Sequence, residues 1–243
     1  MKLIKIKGIV IKETSYKDND KIITLLTDTY GKISCMAKGA KKTNSPILAN
    51  CQYLVYSEFV LYKGTNFYHV NSASIINMFY KLRTDFEKLQ IMFELTKIVQ
   101  MVTDENQDTG DILKLFLNTA YAIENFDKDK RIIASAFKIK LFTLLGFAPR
   151  IDKCHICGQA FSSDKESLKD GIYYDFVSNV FICSKCMKKE NQKRCIKLNE
   201  ATIVAIKYVV LSGINKIFSF SLKNIDNFSL FGEVYTDTMT SGI

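Results

Sequence analysis

Apolar and polar residues alternate along the first third of the chain, in short runs that turn-forming residues separate. The runs richest in β-branched and aromatic residues are 4–11, 21–27, 32–38, 52–63 and 67–75. A period of two with this composition is typical of β-strands. Because five short strands in about 75 residues suit a small closed or partly open barrel, we predict a β-barrel of the OB-fold type over residues 1–80.

From residue 81 the apolar period changes to the three or four residues of amphipathic helices. The first series is Leu82, Phe86, Leu89, Phe93 and Thr96, and further series cover residues 112–123 and 133–145. After residue 195, Asn199 is suited to cap a helix that runs to residue 210, and a final helix is predicted near residues 228–239. We therefore predict an α+β multidomain protein whose helical C-terminal domain has two parts, residues 81–150 and 196–243.

Between the two helical parts lie two C-x2-C pairs, Cys154 with Cys157 and Cys183 with Cys186. Two such knuckles place four thiolates around one ion, and a tetrahedral set of four sulfurs suits Zn²⁺. Strand-like segments between the pairs would complete an inserted zinc ribbon over residues 151–195. We predict one structural zinc ion, since four thiolates leave no open position for a catalytic water. Two alternatives are a redox dithiol and replacement of one sulfur by His155.

Enzyme chemistry finds little support in the residues. The chain has two histidines, His69 and His155, so most acid–base schemes lack their usual proton carrier. The phosphate-loop pattern G-x-x-x-x-G-K-[ST], the G-x-S-x-G elbow and the H-x-E pattern of zinc deaminases are absent from the sequence. We predict a protein that is not an enzyme; the alternative is a metal-dependent nuclease.

The charge distribution points to a polyanionic partner. The chain has 34 basic and 25 acidic residues, a net charge of +9, and residues 1–80 contribute +6 of this with 11 lysines against 5 acidic residues. Concentrated positive charge of this kind is typical of nucleic-acid binding. The N-terminal residues lack the apolar stretch of a signal peptide, and no run approaches the roughly 18 apolar residues of a membrane span. We expect a soluble cytoplasmic protein with no membrane partner.

Lysines cluster at the ends of the predicted strands. Our candidate phosphate contacts are Lys38, Lys41 and Lys42 in one loop, with Lys12, Lys17 and Lys21 near another strand end. OB folds bind single strands with such loops and an aromatic strand face. The candidate stacking residues are Tyr53, Tyr56, Phe67 and Tyr68. The alternative for the aromatics is core packing, and for the lysines a solvated surface.

Several segments resemble the RecO family of bacterial DNA repair proteins. They are residues 8–11, 16–27, 30–33 and 37–42, then residues 144–149 ahead of the first cysteine pair, with the second pair downstream. The family often carries paired glycines just before the second knuckle. Ser178 and Asn179 stand there in this chain, and we expect the ribbon to be retained because asparagine tolerates left-handed backbone.

The resemblance implies a non-enzymatic recombination mediator. Such a protein would bind single- and double-stranded DNA, anneal complementary strands and associate with the nucleoid. It would contact the acidic C-terminal tail of single-stranded DNA-binding protein and, with RecR, help to load RecA. Lys38, Lys41 and Lys42 would correspond to the basic loop of the family. A competing hypothesis is an RNA-associated zinc-ribbon factor of translation or transcription.

Overall fold

The structure is a computed structural model that describes residues 2–65, 67–161, 171–188 and 193–241. The chain divides into two compact units, Met1–Asn125 and Phe126–Ile243. Parts of the predicted ribbon domain, residues 162–170 and 189–192, lie outside the described residues.

The first unit contains the predicted barrel. Its strands are β1 (Leu3–Tyr16), β2 (Asp20–Thr27), β3 (Lys32–Ala37), β4 (Tyr56–Lys63) and β5 (Tyr68–Asn77). The strand order is β1-β2-β3-β5-β4, and antiparallel pairing of β1 with β4 closes the barrel. The OB-like barrel is therefore confirmed. The run predicted over 52–63 becomes a strand only at Tyr56, because the preceding residues form a turn in which Leu54 has a φ of 63°.

Alternate residues of the barrel strands fill its interior. The core includes Val10, Ile23, Leu25, Ile33, Phe59 and Leu61, all of them buried. Each large aliphatic side chain buried in this way contributes about 1.5–3 kcal/mol. The period of two in the sequence therefore corresponds to an inner face that holds the strands together.

Three helices follow the barrel in the first unit: α1 (Tyr80–Thr84), α2 (Phe86–Val102) and α3 (Gly110–Asn125). Asp85 separates the first two and caps α2 by accepting a 3.2 Å hydrogen bond from the backbone N–H of Lys88. Phe86 and Phe93, which belonged to the predicted apolar series, are exposed, and the buried face of α2 instead carries Met92 and Leu95. The pattern predicted the helix but only part of its buried side, which includes Thr96, because α2 has apolar residues on more than one face.

The second unit consists of helices and a small sheet. Its elements are α4 (Lys130–Leu144), β6 (Ile172–Asp175), β7 (Val180–Cys183), β8 (Cys195–Leu198), α5 (Glu200–Leu211) and α6 (Asp226–Thr240), with 3-10 turns at Ser184–Cys186 and Ile214–Lys216. The sheet has the order β7-β6-β8. The helical C-terminal fold with an inserted cysteine-bearing sheet is confirmed, and β8 is a third strand that the sequence did not predict.

Aromatic and small residues join the sheet to the helices of the second unit. Tyr174 on β6 lies with its ring centroid 5.2 Å from that of Phe231 on α6. A Cβ added at Gly232 would lie 2.7 Å from the Cβ of Ser135, so the glycine permits a close approach of α6 to α4. Asn199 caps α5 as predicted, accepting a 2.8 Å hydrogen bond from the backbone N–H of Thr202. Among the described residues, no helix has both the length and the apolar character needed to cross a bilayer.

Candidate nucleic-acid interface and metal centre

Two loops meet at one end of the barrel. The backbone N–H of Gly39 donates a 2.8 Å hydrogen bond to Asp20 Oδ1, and the backbone N–H of Lys41 donates a 2.9 Å hydrogen bond to the carbonyl of Asn19. Gly39 has a φ of 68°, in the left-handed region that glycine adopts without strain. We call residues 17–20 and 38–45, which these bonds join, the basic end of the barrel.

Four of the six candidate lysines lie at this basic end: Lys17, Lys38, Lys41 and Lys42. All four are exposed, and none forms an ion pair within the described part of the chain. The ammonium of Lys41 donates a 3.4 Å hydrogen bond to the carbonyl of Lys17, which joins the two loops that carry these lysines. The arrangement presents several unneutralised ammonium groups to solvent.

The other two candidates lie in different surroundings. Lys21 is mostly buried, and its ammonium donates a 2.6 Å hydrogen bond to the carboxylate of Glu13. The charge of Lys21 is therefore already balanced by a neighbour. Lys12 is exposed on β1 opposite Thr24, along the strand rather than in either loop.

The candidate stacking residues are partly committed to packing. The hydroxyl of Tyr53 lies 2.8 Å from Thr96 Oγ1 and donates a 3.3 Å hydrogen bond to the carbonyl of Met92 on α2. Burial raises the pKa of Tyr53 to about 12, although the bond to Thr96 opposes this. The ring of Tyr68 makes an edge contact with that of Tyr30, at 6.4 Å between centroids. These contacts match the core-packing alternative more closely than a free aromatic surface.

In the second unit, the structure brings the four predicted cysteines together. The Sγ atoms of Cys154, Cys157, Cys183 and Cys186 all lie within 4.8 Å of one another. Cys154 is buried, Cys157 is exposed and the other two are half-buried. This group could hold a metal ion. His155 is exposed and lies outside the group, as does Cys195.

Backbone geometry shapes the first knuckle and the hairpin turn ahead of the second. The N–H of Gly158 donates a 3.0 Å hydrogen bond to the carbonyl of Cys154, closing the first turn. The N–H of His155 donates a 2.9 Å hydrogen bond to the carbonyl of Phe181, which fastens this turn to β7. Asn179, in the turn between β6 and β7, has a φ of 52°, so the expected left-handed asparagine is confirmed.

Backbone hydrogen bonds and neighbouring sulfurs shift the pKa values of the clustered thiols. Burial opposes ionisation of Cys154, but backbone hydrogen bonds from Cys157, Cys183 and Ile156 outweigh it and lower the pKa of its thiol to about 6. The neighbouring sulfurs of Cys183 and Cys157 raise the pKa of Cys186 to about 12. Like charges this close repel strongly, so a cation among them would be needed for all four thiols to ionise near neutral pH.

Sequence reasoning missed one ion pair that supports the metal centre. Asp175 is buried, and its carboxylate lies 2.9 Å from Nε of Arg194, just before β8. Its Oδ1 also accepts hydrogen bonds from the backbone N–H groups of Val177 and Ser178, at 3.1 and 3.2 Å. Asp175 thus holds the hairpin turn that precedes the second cysteine pair. An aspartate directly before a turn that contains serine and asparagine was the available indication.

Comparisons with known proteins cover both units. The family model "Recombination protein O N terminal" matches residues 1–79, and "Recombination protein O C terminal" matches residues 83–227. The chain is 39% identical over 222 residues to DNA repair protein RecO of Acetivibrio thermocellus, an alignment that covers 91% of this chain and 85% of that protein. It is 32% identical over 216 residues to RecO of Alkaliphilus metalliredigens, covering 88% and 84% of the two chains. It is also 30% identical over 239 residues to RecO of Caldicellulosiruptor bescii, covering 98% and 91%. The chain therefore belongs to the RecO family of DNA repair proteins.

Proposed function

We propose that this protein is a non-enzymatic recombination mediator that binds single- and double-stranded DNA through the basic end of the barrel and anneals complementary strands. The observation that carries the proposal is the convergence of Lys17, Lys38, Lys41 and Lys42 on two loops that hydrogen-bond to each other. Their exposed ammonium groups suit contacts with successive phosphates.

Annealing needs little beyond such a surface. Cations that contact phosphates release counterions and reduce the repulsion between two strands. Phosphate contacts carry no sequence information directly, so the bases stay free to pair. We expect binding with steep salt dependence and little sequence preference.

Membership of the RecO family supports a proposal about partners. We propose that the protein works with RecR to load RecA on DNA coated by single-stranded DNA-binding protein, whose acidic C-terminal tail it contacts. DNA binding would place the protein at the nucleoid in the cytoplasm.

We also propose that the four cysteines hold one structural zinc ion. A tetrahedron with Zn–S bonds of about 2.3 Å has edges of about 3.8 Å, and the sulfurs of Cys157 and Cys183 lie 3.8 Å apart. When bound, the ion would supply folding free energy to the ribbon and no reaction chemistry. In this scheme residues 1–80 form the DNA-binding domain, residues 151–195 the ribbon, and residues 81–150 with 196–243 the helical domain.

The test is annealing of two complementary oligonucleotides coated with single-stranded DNA-binding protein, in its intact and tailless forms. The variant Lys38→Glu/Lys41→Glu/Lys42→Glu should abolish annealing and weaken DNA binding at least tenfold. The matched control Lys114→Glu/Lys216→Glu/Lys223→Glu makes the same change of charge at exposed lysines elsewhere and should retain activity.

Three results would contradict the proposal. If the loop variant and the control lost annealing equally, the basic end of the barrel would not be the DNA-binding site. Preference for structured RNA over DNA of equal length would favour an RNA-associated factor. Turnover of labelled DNA with added Mg²⁺ or Mn²⁺ would favour a nuclease.

A further inference from the structure

A cavity of about 700 Å³ opens in the second unit beside the cysteine cluster. One wall is the turn after α4, with Phe147 and Arg150. Its lining also includes Lys153 and His155 at the first knuckle and the hairpin residue Asn179. This volume falls within the range of about 300–1,000 Å³ that is usual for small-ligand clefts.

The two basic side chains that line this cavity form no ion pair or hydrogen bond within the described part of the chain. The side chains of Arg150 and Lys153 are exposed and have no ion-pair or hydrogen-bond partner among residues 2–65, 67–161, 171–188 and 193–241. Elsewhere in this unit the buried lysines do have partners; Lys140, for example, donates to the carbonyls of Val210 and Ser212. Two unpaired cations in the lining of one cavity form a place for an anion.

The aromatic ring of Phe147 also lines this cavity. Phe147 is 61% exposed, although its backbone is fixed on both sides. Its N–H donates a 2.8 Å hydrogen bond to the carbonyl of Phe142, and its carbonyl accepts one from the hydroxyl of Tyr235. Because most of its surface faces solvent, core packing does not explain the position of the Phe147 ring. Such a ring is a platform on which a planar group can stack with little loss of conformational entropy.

We infer that this cavity, which we call the knuckle cleft (Phe147, Arg150, Lys153, His155 and Asn179), is a second binding site for single-stranded DNA. A base would stack on Phe147, the phosphate beside it would lie between Arg150 and Lys153, and Asn179 and His155 would offer hydrogen bonds to the base edge. The identification of single-stranded DNA as the ligand rests on the proposed DNA-binding function.

The balance of charge favours a nucleotide over an acidic peptide. Two cations stand against the single carboxylate of Asp152 on the lining. This small surplus matches one phosphodiester, whereas a run of carboxylates would need several cations. The exposed face of the Phe147 ring also matches a planar base, which stacks on aromatic side chains.

A second site has a consequence for annealing. The basic end of the barrel belongs to the first unit and the knuckle cleft to the second. One molecule could therefore hold two strands at once, each with its own salt dependence. Loss of either site would reduce annealing more than it reduces binding of one short strand.

The test uses the full-length protein, purified with its metal, and an oligothymidine carrying one 5-iododeoxyuridine. Irradiation should cross-link the probe to Phe147, which mass spectrometry would detect on the tryptic peptide of residues 141–150. Phe147→Ala should weaken binding in the Lys38→Glu/Lys41→Glu/Lys42→Glu background by about 5- to 150-fold, the range for loss of one stacked base. Lys153→Gln should reduce the salt slope by about 0.7.

Controls separate this inference from the proposed function. Leu211→Ala removes a more exposed apolar side chain and Lys223→Gln an exposed lysine, both outside the lining of the cleft; both variants should bind as the parent does. If Phe147→Ala and Lys153→Gln bind DNA within twofold of the parent and no cross-link forms, the cleft is not a DNA site. Annealing by the wild-type protein would in that case leave the proposed function intact. Binding of a peptide of aspartate and phenylalanine that Phe147→Ala abolishes, with DNA binding unchanged, would also overturn the inference.

Discussion

Gly39 and Asp20 are joined by a 2.8 Å hydrogen bond from the glycine backbone N–H to the aspartate carboxylate. The bond ties the loop that follows β3 to the first residue of β2. An acidic side chain thus organises the most basic loop of the barrel. Its negative charge should weaken DNA binding, whereas the hydrogen bond that it accepts should strengthen binding by ordering the loop.

Replacement of Asp20 separates these two effects. Asp20→Asn keeps an acceptor oxygen and removes a negative charge, so DNA affinity should stay equal or rise. Asp20→Ala also removes the acceptor; the loop should lose order, with DNA affinity falling about threefold and stability by about 1 kcal/mol. Fluorescence anisotropy with a short oligothymidine would measure the affinities. Equal weakening in both variants would mean that the acceptor does not organise the loop.

Lys21 and Lys41 provide a second comparison. The ammonium of Lys21 is held by Glu13 at 2.6 Å, whereas Lys41 is exposed at the basic end of the barrel. Lys41→Gln should therefore reduce the slope of log K against log salt by about 0.7 for single-stranded DNA. Lys21→Gln should change the slope little. A larger change for Lys21 than for Lys41 would show that DNA displaces the Glu13 pair and that the phosphate path differs from the one proposed.

Tyr53 should contribute to stability and not to DNA binding. Tyr53→Phe removes the hydroxyl that bonds to Thr96 and Met92 but leaves the ring. The free energy of unfolding should fall by about 1 kcal/mol, with DNA affinity within twofold of wild type. Tyr62→Phe is the matched control, since its hydroxyl has no hydrogen-bond partner in the described part of the chain. Urea denaturation and anisotropy would measure the two quantities, and unchanged stability would contradict the assignment.

Metal content should depend on Cys183 and not on Cys195. Cys183→Ser removes one of the four clustered sulfurs, while Cys195 lies outside the cluster. Bound zinc should fall below one ion per chain in Cys183→Ser, and a loss of about 2 kcal/mol would lower Tm by about 4–8 °C. Cys195→Ser should keep one ion. Elemental analysis and calorimetry would show this, and a full complement of zinc in Cys183→Ser would make the ligand assignment wrong.

Prediction succeeded where a local pattern has one physical solution. The alternating strands could bury one face only by pairing into a sheet, and two C-x2-C pairs brought their sulfurs together. It was incomplete at α2, where apolar residues lie on several sides and contacts with the barrel decide which side is buried. It also missed β8, a short strand whose pairing with β6 comes from a distant part of the chain.

The sequence by itself determined the barrel, the helices, the cysteine cluster and the concentration of positive charge in the first third of the chain. These features depend on residue type and on spacing over a few positions. Only the tertiary structure decided which cations are free. Lys21 is neutralised by Glu13 through strand pairing, the ammonium of Lys41 reaches the carbonyl of Lys17 in another loop, and Arg150 and Lys153 line one cavity. Charge balance is set by neighbours in space, so it becomes visible only when distant segments come together.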